Sequence, residues 1–331
     1  MTAQTDAPDF SKDRAPTRVG VLRAAEKIRA ILPPTPLLPL EVDGRTLWCK
    51  AECLQPIGAF KIRGGWHRLT DLNAEERARG VVAFSSGNHA QGVAWAAKRL
   101  GVSATIVMPA DAPARKMEGT RALGAKVVTY DRMNEDRAQI AARIAAEQGA
   151  VVVPSYDDPW VIEGQGSVGI EATAQLAAMT DGAMFDRALI CCGGGGLASG
   201  IALALPDTAI TIVEPEGWDD AGRSLASGKI ERVGPNPPPT ACDAIQTLEI
   251  CPRTFTVLRE RNADSVTVND AEVGAAMRVA FERLRVVVEP GGAVALAAAL
   301  SGKAALGDYT LVTLSGGNVD WDMFQAMVGR E

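Results

Sequence analysis

The stretch Ala188-Leu189-Ile190-Cys191-Cys192-Gly193-Gly194-Gly195-Gly196-Leu197-Ala198 decides the fold class. Five apolar residues run without a break, four glycines follow, and a small, apolar run over 197–205 has the length and composition of a helix. An unbroken apolar run bounded by turn residues reads as a strand covered on both faces. Glycines between such a strand and a helix let backbone N–H groups close around an anion at the helix N-terminus.

Working outward, the same rhythm recurs. Residues 80–84 read as a strand, 85–89 as a small polar loop and 90–100 as a helix ended by Gly101. Strands are predicted over 104–108, 126–130 and 151–153, with helices over 115–123 and 135–148 between them. Beyond them, a helix over 171–179 precedes the quoted strand. A strand over 209–213, helices over 271–284 and 293–300 and a strand over 311–314 follow it. Strands alternating with helices predict an α/β protein with mainly parallel sheets covered on both faces. Such sheets bind ligands at the carboxyl ends of their strands.

Composition narrows the function. The 331 residues carry 34 Lys and Arg against 40 Asp and Glu, a mildly acidic balance that argues against a nucleic-acid partner. With 47% hydrophobic residues the chain supports a large core. No apolar run is long enough to span a membrane, and residues 1–18 are polar, without a signal-peptide pattern, so they read as a mobile lead-in to a cytoplasmic protein. The 6 cysteines have no His at metal-ligand spacing and read as buried, reduced thiols. The proline-rich residues 234–239 read as a surface crossing.

Three loops carry unusual residues. Gly193-Gly194-Gly195-Gly196 suits a phosphate, but Gly193, Gly195 and Ala198 also match a dinucleotide fingerprint, with Glu214 where a ribose-binding acid belongs. Ser85-Ser86-Gly87-Asn88-His89 offers hydroxyls, an amide and helix N-terminal N–H groups to a carboxylate, although it also fits an ordinary Ser cap. In Gly58-Ala59-Phe60-Lys61-Ile62-Arg63-Gly64-Gly65, a Lys sits between an aromatic and an aliphatic residue. An amine in a partly apolar pocket loses basicity and becomes a nucleophile, whereas a solvated Lys does neither.

Taken together, residues 58–64, 85–92, 193–197 and Leu314-Ser315-Gly316-Gly317-Asn318 resemble the pyridoxal-phosphate enzymes of the threonine/serine dehydratase and serine racemase family. The likeness spans about residues 23–320, and the order of the four motifs decides against the dinucleotide. It implies pyridoxal-phosphate fold type II, the tryptophan synthase β-like fold, with two three-layer α/β domains: a large one from 1–79 and 157–331 and a small one inserted at 80–156. It implies Lys61 as the Schiff-base lysine and Phe60 packed near the ring. Asn88 falls at the ring hydroxyl, Gly193, Gly194, Gly195, Gly196 and Leu197 at the phosphate, and Ser315 at the pyridine nitrogen. Ser85, Asn88 and His89 fall at the substrate carboxylate. The family's usual Ser is replaced by Ala59, which removes one hydroxyl near the cofactor.

The resemblance also implies a Mg²⁺ or Ca²⁺ site from Glu214, the Trp218 carbonyl and Asp220, and a homodimer. The reaction it implies is β-elimination of water from L-threonine or L-serine, giving a 2-oxo acid and ammonia, with Lys61 removing the Cα proton. Racemisation is an alternative, with Ser86 as the acid/base on the opposite face. Dehydration of 3-hydroxyaspartate is another, with Arg137 on a second carboxylate; a non-catalytic binding protein is a third. The chain ends soon after Ser315, so the C-terminal regulatory domain of biosynthetic threonine dehydratases, and with it isoleucine feedback, is not expected.

Overall fold

In the computed structural model, residues 14–329 are described except Ser86, Pro113 and Arg132. The central strands are the apolar runs of the sequence. Strands β1 (Leu37–Val42), β2 (Arg45–Ala51), β3 (Val81–Phe84), β4 (Ala104–Pro109), β5 (Lys126–Tyr130), β6 (Val151–Val152), β7 (Arg187–Cys191), β8 (Ala209–Pro215), β9 (Asp264–Val268) and β10 (Thr310–Leu314) form two sheets. One is ordered β1-β2-β10-β7-β8-β9, the other β5-β4-β3-β6. Every pairing is parallel except β1 with β2.

Burial explains the order. Along β7, Leu189 and Cys191 enter one hydrophobic cluster while Ala188 and Ile190 enter another, so the strand is covered on both faces. Strand β4 is buried throughout, whereas the edge strands β5 and β9 are half exposed. The helix Pro290–Leu300 is buried along nearly its whole length and fills the first cluster, and Gly196–Ala204 lies in the second.

Several elements depart from the sequence expectation. The helix expected over 171–179 runs from Pro159 to Met179. Its first half holds Gly164 and Gly166, which disfavour an isolated helix. Packing requires them: a Cβ on Gly164 would lie 2.6 Å from the Gly64 Cα, and one on Gly166 would lie 2.5 Å from the Gly200 oxygen. The helix expected over 271–284 is α-helical only over Asp270–Val279 and continues as a π-turn over Ala280–Leu284. The end of the expected mobile lead-in is anchored, because Arg14 makes two hydrogen bonds to Glu163 at 2.6 and 2.7 Å. Residues 1–13 lie outside the described residues. The six cysteines are free and buried. Among the described residues no helix is long and apolar enough to cross a membrane.

Candidate active site

The carboxyl ends of β3, β7 and β10 converge on one pocket. Its walls include Phe60, Lys61, Ser85, Asn88, His89 and Arg137, together with residues 193–197 and Ser315. Fold topology thus joins residues drawn from four separated motifs. Ser86, expected as the second acid/base, lies outside the described residues.

Lys61 opens the helix Lys61–Thr70, and its Nζ donates to the Ser155 main-chain oxygen at 2.8 Å. Burial, without a compensating anion, pushes the amine down to about 8. The Phe60 ring lies 5.3 Å from Nζ. Behind Lys61 the same helix is bolted in place by Arg63, whose Nε and Nη2 meet Glu52 at 2.7 Å and whose Nη2 also meets Glu171 at 2.9 Å. Two main-chain hydrogen bonds stitch the preceding loop to the end of β10: Phe60 N to the Ser315 oxygen at 3.1 Å, and Gly317 N to the Gly58 oxygen at 2.8 Å.

The glycine loop forms a tight cradle. Gly195 has φ 80°, the left-handed region that glycine adopts without strain, and it caps the helix Gly196–Ala204. A Cβ on Gly194 would lie 2.3 Å from the Tyr156 ring, so that ring and the loop backbone meet with no room for a side chain. Backbone N–H groups at a helix start, beside a buried lysine, fit a phosphate-bearing aldehyde: the cradle takes the phosphate and the amine takes the carbonyl.

On the opposite wall, Gly87 caps the helix Asn88–Leu100 and leaves the first N–H groups of that helix for an anion. The His89 ring does not share in this. Its Nε2 lies 2.8 Å from the Val153 oxygen, and burial, with the Lys61 charge, pushes it down to about 3. A neutral ring donating through Nε2 leaves Nδ1 only an acceptor, so what His89 can offer a carboxylate is its main-chain N–H. Arg137 is exposed, with its guanidinium 5.9 Å from the Phe84 ring centre.

The expected metal residues lie elsewhere. Glu214, near the end of β8, accepts from Ala221 N at 3.0 Å and Gly222 N at 2.8 Å. Asp220 opens the helix Asp220–Ser227, and both its carboxylate oxygens are buried without a partner. Burial, then the Asp220 charge, pushes Glu214 up to about 8, and burial pushes Asp220 up to about 7. Two orphaned oxygens beside a second buried carboxylate fit a hard cation. Among the described residues there is no group of three or more His, Cys, Asp or Glu that could hold a metal. Trp218 donates its indole N–H to the Pro238 oxygen.

The pocket also holds residues that sequence reasoning missed: Lys116, Ser155, Tyr156, Cys191 and Glu289. Glu289 carried one usable signal, an acid closing the apolar run 286–288 just before a proline-led helix. Lys116 and Tyr156 carried none, because neither falls in a glycine-rich or loop motif and only the fold brings them to the pocket.

The chain is similar to known proteins over most of its length. Residues 28–316 match the family model described as pyridoxal-phosphate dependent enzyme. The chain is 41% identical to the L-threo-3-hydroxyaspartate ammonia-lyase of Saccharomyces cerevisiae, over 96% of this chain and 98% of that one. It is 36% identical to the serine racemase of Schizosaccharomyces pombe, over 93% and 96%. A crystal structure of a threonine deaminase superposes with a TM-score of 0.86 at 41% identity, covering 92% of this chain and 99% of that one.

Proposed function

The chain belongs to the pyridoxal-phosphate dependent enzymes, with fold type II and relatives among the ammonia-lyases and serine racemases, and from that premise we propose that it is an ammonia-lyase that dehydrates an L-3-hydroxyamino acid, with 3-hydroxyaspartate preferred over threonine and serine. The observation that carries the substrate choice is Arg137, a cation in the pocket wall in addition to Lys61. The other cation there, Lys116, is already paired with Asp243 at 2.9 Å. Threonine and serine give Arg137 no partner. A second carboxylate does, and Arg can hold it by two parallel hydrogen bonds. Two relatives named L-threo-3-hydroxyaspartate ammonia-lyase, each 41% identical, support the same choice.

The residues divide the work. When bound, pyridoxal phosphate supplies an electron sink for the pair left at the substrate Cα. The N–H groups at residues 193–197 would hold its phosphate, and Phe60 would pack near its ring. Ser315 would present a neutral hydroxyl to the ring nitrogen; a hydroxyl would hold a proton there less firmly than a carboxylate, which would favour prompt loss of the β-hydroxyl. Ser85 and the first N–H groups of the helix Asn88–Leu100 orient the α-carboxylate. The Lys61 amine, near 8, is available uncharged and takes the Cα proton. The β-hydroxyl leaves as water, and the released enamine hydrolyses to a 2-oxo acid and ammonia. Glu214 and Asp220 would hold Mg²⁺ or Ca²⁺ away from the chemistry, in a supporting role.

The test is 2-oxo acid formation from L-threo-3-hydroxyaspartate, L-threonine and L-serine, with D-isomer formation read in parallel. The diacid is expected to give the highest kcat/KM. Arg137→Ala is expected to lower that value by about 10-fold to 100-fold, the cost of a charged hydrogen bond, while leaving L-serine turnover within a factor of about three. Equal turnover of the three substrates, or a diacid preference that survives Arg137→Ala, would sink the substrate assignment.

A further inference from the structure

Glu289 is a buried carboxyl in the pocket wall that the scheme above does not use. It sits at the end of an ordered chain of amides. Asn318 Nδ2 donates to the Ile57 oxygen at 2.8 Å and to Asn88 Oδ1 at 2.7 Å. Asn88 Nδ2 donates to Glu289 Oε1 at 2.6 Å. The Glu289 main-chain N–H is itself tied to the Gly316 oxygen at 2.9 Å. The carboxyl also presses on the main chain of Gly316, where an added Cβ would lie 2.1 Å from Oε1.

Donor and acceptor counting gives this chain a direction. The Ile57 oxygen can only accept, so it fixes which end of the Asn318 amide is the NH₂. Asn318 therefore donates to Asn88, and the Asn88 carbonyl end is occupied. The NH₂ end of Asn88 then faces Glu289 with one hydrogen and leaves the other for the pocket. A carboxylate at 289 accepts only, and it locks this orientation. A neutral carboxyl can also donate, and it loosens the lock.

We propose that Glu289 is a positioning residue that acts through Asn88: it fixes Asn88 as a hydrogen-bond donor toward the cofactor ring, and its proton sets how firmly that donor is held. This rests on the cofactor assignment above. Burial, then the Asp243 charge, pushes the Glu289 carboxyl up to about 7, against the pull of the Asn88 hydrogen bond and the Lys116 charge. The charged and titratable groups facing it are Asp243 and Lys116 across the pocket and the Cys53 thiol, which Glu289 helps push up to about 12. The raised value places the Glu289 proton within the neutral range.

The experiment is a pH titration of the visible absorbance of the holoenzyme, with the cofactor dissociation constant measured by dialysis, for wild type, Glu289→Gln, Glu289→Asp, Asn88→Ala and the double variant Asn88→Ala/Glu289→Gln. Wild type is expected to show a spectral transition near neutral pH. Glu289→Gln is expected to bind cofactor about tenfold more weakly or worse and to lose that transition. Glu289→Asp, which keeps a titrating carboxyl, is expected to retain it. In the Asn88→Ala background, Glu289→Gln is expected to add nothing further, because the route runs through Asn88. Identical titrations of wild type and Glu289→Gln, or additive losses in the double variant, would overturn the proposal. Absence of a visible band in wild type with added cofactor would instead overturn the cofactor assignment.

Discussion

The Lys61 ammonium is held by a main-chain carbonyl, that of Ser155 at 2.8 Å, rather than by a carboxylate. A carbonyl orients the amine without adding a negative charge that would keep it protonated, so burial governs and pushes the amine down to about 8. The geometry suits a group that must give up its proton to bond with an aldehyde and later act as a base.

Lys61→Ala tests that role. Turnover is expected to fall by at least the roughly 10²–10⁴-fold typical of a lost acid/base group, and the visible band that borohydride bleaches is expected to disappear. Retention of both by the variant would refute the assignment. The Ser155 carbonyl is main chain, so no side-chain substitution at 155 removes it.

The glycine cradle makes a graded prediction. A Cβ at Gly194 would lie 2.3 Å from the Tyr156 ring, while one at Gly196 would lie 3.1 Å from the Tyr156 Cβ. Gly194→Ala must push a large half-buried ring, at a cost of about 1–3 kcal/mol; Gly196→Ala needs a shift of only a few tenths of an ångström. Dialysis against pyridoxal phosphate is expected to rank affinity as wild type, then Gly196→Ala, then Gly194→Ala. The reverse order of the two variants would mean that Tyr156 does not shape the cradle.

What was readable in the sequence follows from these same contacts. Strand β7 and its glycines were legible because a strand covered on both faces must be apolar throughout, and a loop backbone packed against the Tyr156 ring leaves room only for glycine. The β1–β2 hairpin was not. Pro39 lies exposed in the edge strand β1, where a missing N–H costs nothing. Lys50 breaks the apolar pattern of β2, yet it is buried, with Nζ bonded to Thr35 O, Glu171 and Gln175. Lys61 looked odd in isolation and became meaningful only beside the other motifs. Lys116 looks solvated in sequence, and only the fold turns it into the pocket.

The two acids Glu214 and Asp220 predict a metal-linked pH response. Without a cation, their folded values of about 8 and 7 lie above the ordinary 4.5 and 3.8. Groups raised on folding stabilise fully below the ordinary values, and that contribution is lost as pH rises through the folded ones. Metal-free protein is therefore expected to lose thermal stability from about pH 5 to pH 8. Millimolar Mg²⁺ or Ca²⁺ is expected to restore it, since a cation favours both charged carboxylates. Asp220→Asn should flatten the pH slope and abolish the metal response. Melting curves with and without chelator that coincide at pH 8 would count against a cation at these residues.

A complementary response at acid pH belongs to the N-terminal clasp. Glu163 is buried, which alone would raise it, but hydrogen bonds from Arg14 and the Thr17 N–H, with the His67 ring 3.6 Å away, prevail and hold it at about 2. Its two oxygens take both Arg14 nitrogens, whose guanidinium stacks 4.1 Å from the Trp160 ring centre while Arg68 lies 4.5 Å from the same ring. A carboxylate whose folded value is depressed stabilises above its ordinary 4.5 and loses that contribution as pH falls toward 2. Glu163→Gln is expected to lower stability by about 1–3 kcal/mol at pH 7, with the gap from wild type closing between pH 4.5 and pH 2. Because Glu163 and Trp160 lie on the helix that follows Ser155 and Tyr156, Arg14→Ala should also weaken cofactor binding, though less than Gly194→Ala. Urea titrations of wild type and Glu163→Gln at pH 7 and pH 3 decide the matter, and a gap that stays constant between those values would show that the clasp does not draw its strength from the Glu163 charge.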